Sequence, residues 1–183
     1  LDMRMDPALP ETAADLLNSR PEAELARIFR QLGEERWAAR VARRVVERRR
    51  RQPFSRAGEL VECIKQAIPA PARRRGGHPA RRIFQALRIA VNDELGHLRR
   101  ALPQALRALA PGGRIVVISF HSLEDRLVKQ TLLQAARNGE PVRVRLLLRK
   151  ALQPEPAEVA ANPRARSARL RAAERVWEGE GAA

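Results

Sequence analysis

APGGRIVVISFHSLEDR, Ala110–Arg126, is the stretch that decides the fold. A Pro-Gly-Gly turn feeds Arg114 to Ser119, whose core Ile115-Val-Val-Ile118 is β-branched throughout, so its length and branching favour a strand over a helix. Its apolar residues are not interrupted by polar ones, which predicts a buried strand of the parallel type, with neighbours on both edges. Ser122, with Asp125 three residues on, predicts a capping box for a helix running to about Arg137. Upstream, Pro79 suits a first helical position after His78, and Phe84, Leu87, Val91, Leu95, Leu98 and Leu102 recur at spacings of three and four. One long helix is predicted there. Helix, turn, buried strand and helix is the rhythm of an α/β fold. Val142–Lys150 and Ser167–Val176 read as extended pieces able to close as an antiparallel pair.

Working toward the N-terminus, the pattern becomes purely helical. Residues 1–10, LDMRMDPALP, read as a loop, and Thr12 then caps a short helix ending near Asn18. Pro21 opens a second helix carrying Leu25, Ile28, Phe29 and Leu32, which Gly33 stops. Glu35 to Arg51 predicts a strongly basic amphipathic helix with Trp37, Val41 and Val45 on its apolar face. Ser55 is the expected cap of a fourth, with Leu60, Ile64 and Ile68 as its stripe. The Pro-, Gly- and Arg-rich stretch Pro69–Pro79 reads as an exposed connection and a domain boundary.

Charge narrows the partner. The 183 residues carry 36 Lys plus Arg against 21 Asp plus Glu, a net +15. A polyanion is the natural partner, and the excess is nearly all arginine, whose planar fork suits phosphate. With aromatic residues at 3% and no Tyr, phosphate contact is expected to outweigh base stacking. No apolar run is long enough to span a bilayer. The single Cys63 can form neither an internal disulfide nor a metal cluster, so a soluble protein of the reducing cytoplasm is expected, with Cys63 a buried small hydrophobe without a role.

The strands are too few for the sheet that RIVVIS implies. One central strand and two later ones are found where a doubly covered parallel sheet normally has about five or six. None of the ten glycines forms the Gly-rich strand-to-helix turn that holds a nucleotide-like cofactor. The opening loop also reads as the middle of something longer. Ile118–Arg126 (ISFHSLEDR), His78–Leu95 (HPARRIFQALRIAVNDEL), the opening LDMRMDP and Ala161–Arg175 (ANPRARSARLRAAER) together resemble, in order, the bacterial small-subunit ribosomal RNA cytosine-N(4) methyltransferases.

The resemblance implies the later part of a Rossmann-like, S-adenosylmethionine-dependent methyltransferase sheet with an inserted all-helical domain. Residues 1–7 would be a loop of the methyltransferase domain, 8–78 the helical RNA-recognition insertion, and 79–183 the C-terminal part of the methyltransferase domain. The family's donor-binding segment has no counterpart, so no cofactor-binding residue is carried over and the chain alone is expected to be inactive. Arg81 and Ile83 depart from the small hydroxyl residues of many members.

Methylating an exocyclic amine demands alignment, since its lone pair is delocalised into the ring, and an acceptor for an amine proton. Asp2 and Asp6, matching the family's loop, are candidates, though ordinary loop capping is the other reading. His121, just past the strand, could touch the base or a phosphate, or only complete the turn; Glu124 and Asp125 read as structural. RNA-binding candidates are the stripe Gln85, Arg88 and Asn92, against a plain solvated face, and the loop Asn162, Arg164, Arg166 and Ser167. The partner implied is small-subunit ribosomal RNA; a homodimer is compatible with the sequence. The competing class is a non-catalytic basic RNA-binding helical module, which a natural start codon immediately before Leu1 would favour, as roughly a hundred further residues upstream would favour the enzyme. A DNA-binding helix at Arg40–Arg51 lacks helix-turn-helix spacing.

Overall fold

The computed structural model describes residues 1–73 and 78–177, which fall into two compact units, Leu1–Glu94 and Leu95–Ala183. The expected connection Pro69–Pro79 lies partly outside the described residues; within it, Ala70–Arg73 forms the short helix α5. The division between the units falls after Glu94, so the helix that follows this connection belongs with the helical unit.

The first unit is helical. Thr12 caps α1 (Ala13–Ser19) through a reciprocal box with Asp15, which satisfies two backbone donors at once. α2 (Glu22–Gln31) buries Leu25, Ile28 and Phe29, as its spacing predicts. Gly33 follows because of space: a Cβ there would lie 2.5 Å from the Arg82 carbonyl and 2.7 Å from that of Phe29, while the left-handed residue is Glu34, at φ 50°. α3 (Ala38–Arg49) begins three residues later than expected, since the Glu35 carboxylate accepts the Trp37 amide at 2.9 Å and holds a turn. α4 (Ala57–Ala67) is capped at Arg56, not Ser55; Glu59 reaches back to accept both the Ser55 and Arg56 amides. These helices share one core with Ile83, Ala86 and Leu87 of α6 (Arg81–Asn92).

The single long helix expected from Pro79 to Leu102 is two helices. Asp93 adopts a left-handed conformation, φ 45°, and ends α6 before α7 (Glu94–Ala108) starts. A left-handed residue closes the last carbonyls of a helix, and no glycine signalled it.

The second unit packs α7 and α8 (Ser122–Asn138) with a three-stranded sheet of β1 (Arg114–Ser119), β2 (Val144–Leu146) and β3 (Arg169–Arg175). α9 (Pro156–Ala161) and a 3-10 turn, Pro163–Ser167, lead into β3. The expected antiparallel pair forms, with β3 central in the order β1-β3-β2. The expectation of a buried parallel strand does not hold for β1: it pairs antiparallel with β3 at an edge, Ile118 opposite Leu170. Ile115 and Val117 face the core of Leu106, Val128 and Leu132, whereas Val116 and Ile118, on the other face, are 58% and 54% exposed.

Candidate functional site

Past the last residue of β1 the chain turns sharply into α8, and that turn forms one wall of an open cleft. Phe120, His121 and Ser122 line one side; Gln153 and the segment Arg166–Arg169 line the other. The fold brings His121 together with Arg166 and Ser167 because β3, which follows the 3-10 turn, pairs with the strand that ends at the His121 turn. Asn162 caps that turn, its Oδ1 accepting the Arg164 amide at 3.2 Å, so its side chain is committed to shaping the loop. Arg164 and Arg166 are exposed.

His121 is itself a cap. Its Nδ1 accepts the Glu124 amide at 3.3 Å, and the Glu124 carboxylate accepts the Phe120 and His121 amides at 2.9 and 3.2 Å. The box expected from Ser122 and Asp125 therefore sits one residue earlier, since His121 is the last extended residue, φ −142°, and the helix begins at Ser122. Asp125 has a different task. It is buried and takes Arg171 bidentately, at 2.7 and 3.1 Å, with Arg169 at 3.2 Å. Those hydrogen bonds to Arg171, and then to Arg169, hold its carboxyl below the usual aspartate value. These ion pairs tie α8 to β3 next to the cleft, which Arg169 lines.

The loop expected to carry acid–base chemistry lies in the first unit and is organised by Arg4. The Asp2 carboxylate accepts from the Arg4 side chain at 2.7 and 3.0 Å and from its amide at 3.2 Å, which lowers Asp2 to about 2. Arg4 also donates to the carbonyls of Pro7 and Leu9, at 2.9 and 2.8 Å. A carboxylate held this way is a weak base. Asp6 is exposed, and its Oδ1 accepts the Ala8 amide at 2.9 Å.

The stripe on α6 points inward more than a solvated face would. Asn92 is buried: it accepts the Met5 amide at 2.7 Å and donates to the carbonyls of Met3 and Arg88 at 2.9 and 2.8 Å. Arg88 forks onto Glu94 at 2.7 and 3.0 Å, and Gln85 donates to the Leu32 carbonyl at 3.3 Å. Cys63 is buried, and burial pushes its thiol up to about 11.

Sequence reasoning missed Phe120, 53% exposed in the cleft wall, along with Gln153 and Arg169. The signal for Phe120 was present: it continues the alternation of Val116 and Ile118 past the strand. A strand taken as buried on both faces hides such a residue. The cleft's cation, aromatic ring and hydroxyls suit a phosphate and a base. The turn from β1 to α8 has no glycine, and its Phe120, His121 and Glu124 amides are taken by the Glu124 carboxylate and the His121 ring. Among the described residues no helix is long and apolar enough to cross a membrane.

The chain is 59% identical over 96% of its length to the ribosomal RNA small subunit methyltransferase H of Acidothermus cellulolyticus, of which it covers 57%. It is 56% identical over 96% to the protein of the same name from Heliobacterium modesticaldum, covering 60% of it, and 54% identical over 98% to that of Symbiobacterium thermophilum, also covering 60%. The chain thus spans less than two thirds of these curated relatives. The family model described as the MraW methylase family matches residues 1–176, and the chain belongs to that family.

Proposed function

We propose that this chain is the RNA-facing later part of an S-adenosylmethionine-dependent enzyme that methylates the exocyclic N(4) amine of a cytosine in small-subunit ribosomal RNA. The observation that carries this reading is the 59% identity, over 96% of the chain, to a relative named as a small-subunit ribosomal RNA methyltransferase. The cleft of Phe120, His121 and Arg166 supports it, as does the net charge of +15.

In this reading the sheet is a portion of a Rossmann-like methyltransferase sheet, residues 8–78 are the inserted recognition domain, and the protein works with the ribosome in the cytoplasm. The edge position of β1 and its apolar outer face support a larger sheet. The methyl donor would be held outside this chain, and the chain by itself transfers nothing. Within the second unit, Arg164 and Arg166 hold phosphate, and Phe120 and His121 receive the extruded base; the first unit contributes Asp6 as its own candidate acceptor for a proton. Asn92 acts by holding the loop that carries Asp6.

Mass spectrometry of small-subunit ribosomal RNA from the source cells tests the function. Disrupting the gene for this chain should abolish an N(4)-methylated cytidine, and an unchanged nucleoside profile would refute it. Calorimetric titration of S-adenosylmethionine into the purified chain should give no heat; stoichiometric binding would move the donor site into this chain.

A further inference from the structure

Between Arg36 and Arg56 the chain places nine arginines and one acid, Glu47. The structure divides seven of these arginines, all but Arg36 and Arg56, into two groups. Arg48 and Arg49 face inward and hold the bundle: Arg48 stacks 4.2 Å over the Phe54 ring and donates to the Gln52 carbonyl, while Arg49 donates to the Leu17 and Arg20 carbonyls at the end of α1, both at 2.7 Å. Arg40, Arg43 and Arg44 are exposed on α3, away from the buried Val41, Ala42 and Val45, and Arg50, the C-cap of the helix, and Arg51, in the turn that follows, are exposed as well.

This outer face is barely neutralised. Arg44 is the most engaged, meeting Glu47 at 3.4 Å and donating to the Gln66 side chain at 2.7 Å, whereas Arg43 approaches Glu22 at only 3.7 Å with its side chain 69% exposed. Among the described residues, Arg40, Arg50 and Arg51 have no carboxylate within 4.0 Å. Like charges three and four residues apart on a helix repel, so such a face is stabilised by an external anion. A solvated helix face would interleave Glu with these positions and close them as ion pairs.

The geometry also selects the anion. At 1.5 Å per residue the face extends for about 15 Å from Arg40 to the Arg50 cap, with Arg51 in the turn beyond, long enough for several successive phosphates and too long for a single one. The apolar side of α3 (Ala38, Val41, Ala42 and Val45) is completely buried in the core, so the helix has nothing to insert into a bilayer. Backbone amides are used within the helix, and the groups available are guanidinium forks, which grip phosphates without reading bases.

We propose that Arg40, Arg43, Arg44, Arg50 and Arg51 form a phosphate track that grips a structured segment of the substrate RNA independently of its sequence, a second binding surface in addition to the cleft of the other unit. This rests on the methyltransferase reading above for the identity of the nucleic acid. The track orients the RNA and adds affinity; it does not choose the cytosine.

The test is fluorescence anisotropy of a fluorescein-labelled RNA hairpin titrated with the full chain, wild type and R40Q/R43Q/R50Q/R51Q, between 50 and 200 mM salt. Affinity should fall at least tenfold in the variant. The slope of log affinity against log salt should become shallower by about 0.7 to 0.9 for each phosphate that the variant leaves without a guanidinium. Melting temperature should be unchanged, since glutamine is nearly as good a helix former and these side chains are exposed. The lysine counterpart at the same four positions should restore most of the slope, and R40Q/R51Q gives the same readout with half the change. Equal affinity and slope for wild type and glutamine variants would overturn the track and leave the proposed function standing. Absence of wild-type binding to any RNA would overturn both. Binding of phosphatidylglycerol vesicles without RNA binding would overturn the track in favour of a lipid surface.

Discussion

Asn92 closes on Met5 across 87 residues of chain, its Oδ1 accepting the Met5 amide at 2.7 Å. The same side chain donates to the Met3 carbonyl at 2.9 Å, so one amide satisfies a donor and an acceptor of a loop that forms no regular structure. The last turn of α6 thereby fixes the segment that carries Asp2, Arg4 and Asp6.

Replacing Asn92 with Ala should therefore free this loop. The Met5 amide and the Met3 carbonyl would lose their partner, at a cost of about 1 kcal/mol, the usual net value of such a hydrogen bond, since Met5 itself is exposed. The measurements are thermal melting and limited proteolysis, with new cleavage expected near Met5. Asn92→Asp keeps the acceptor and loses both donors, so it should fall between the two. An Ala variant as stable and as protease-resistant as wild type would show that Arg4 alone holds the loop.

The Asp125 site predicts a pH dependence. Arg171 and Arg169 depress its carboxyl below the ordinary 3.8, so the folded state holds the proton less tightly than the unfolded chain. Stability from this group is complete above that ordinary value and is lost as pH falls through the lower folded one. Asp125→Asn should cost about 3 kcal/mol near neutrality, because it strands the largely buried Arg171 guanidinium. The variant should also show a weaker acid-induced loss of stability in urea melts below pH 4. Parallel curves for the two proteins would place the acid sensitivity elsewhere.

The helical unit was largely legible in the sequence because its apolar spacing and caps are local signals: Thr12, Pro21 and Leu25 say what they do within one or two turns. The break at Asp93 was not, since its left-handed conformation has no glycine and the leucine spacing runs on across it. The same holds for Asn92, whose partners Met3 and Met5 lie at the far end of the unit's chain. In the site, the strand-to-helix turn and the arginine loop were found from the residues alone. Their meeting in one cleft depends on the β1-β3 pairing, which joins segments about fifty residues apart and which no periodicity reports. Phe120 was hidden because β1 was read as covered on both faces, whereas in this structure Val116 and Ile118 on its outer face are exposed.

That exposed face is itself testable. Val116, Ile118 and Phe120 form an apolar row beside the Leu170 position of β3, and β1 is an edge strand among the described residues. Exposed flat edges of this kind associate. The isolated chain should self-associate at raised concentration, and Val116→Thr with Ile118→Thr should suppress this in analytical ultracentrifugation without lowering the melting temperature. Both residues are more than half exposed, so their removal from solvent contributes little to the fold of this chain. A large drop in melting temperature would mean that this face is packed in solution.

His121 separates a structural role from a functional one. As the cap of α8 its Nδ1 accepts the Glu124 amide, and His121→Ala should cost about 1 kcal/mol. Asparagine is among the best capping residues, so His121→Asn should restore the melting temperature to that of wild type. It does not restore the imidazole in the cleft wall between Phe120 and Ser122. If the ring receives the base or a phosphate, as proposed, the Asn variant should fold normally and bind the labelled RNA hairpin several-fold more weakly. RNA affinity equal to wild type would reduce His121 to a cap and leave Phe120 and Arg166 as the residues to which the cleft owes its binding.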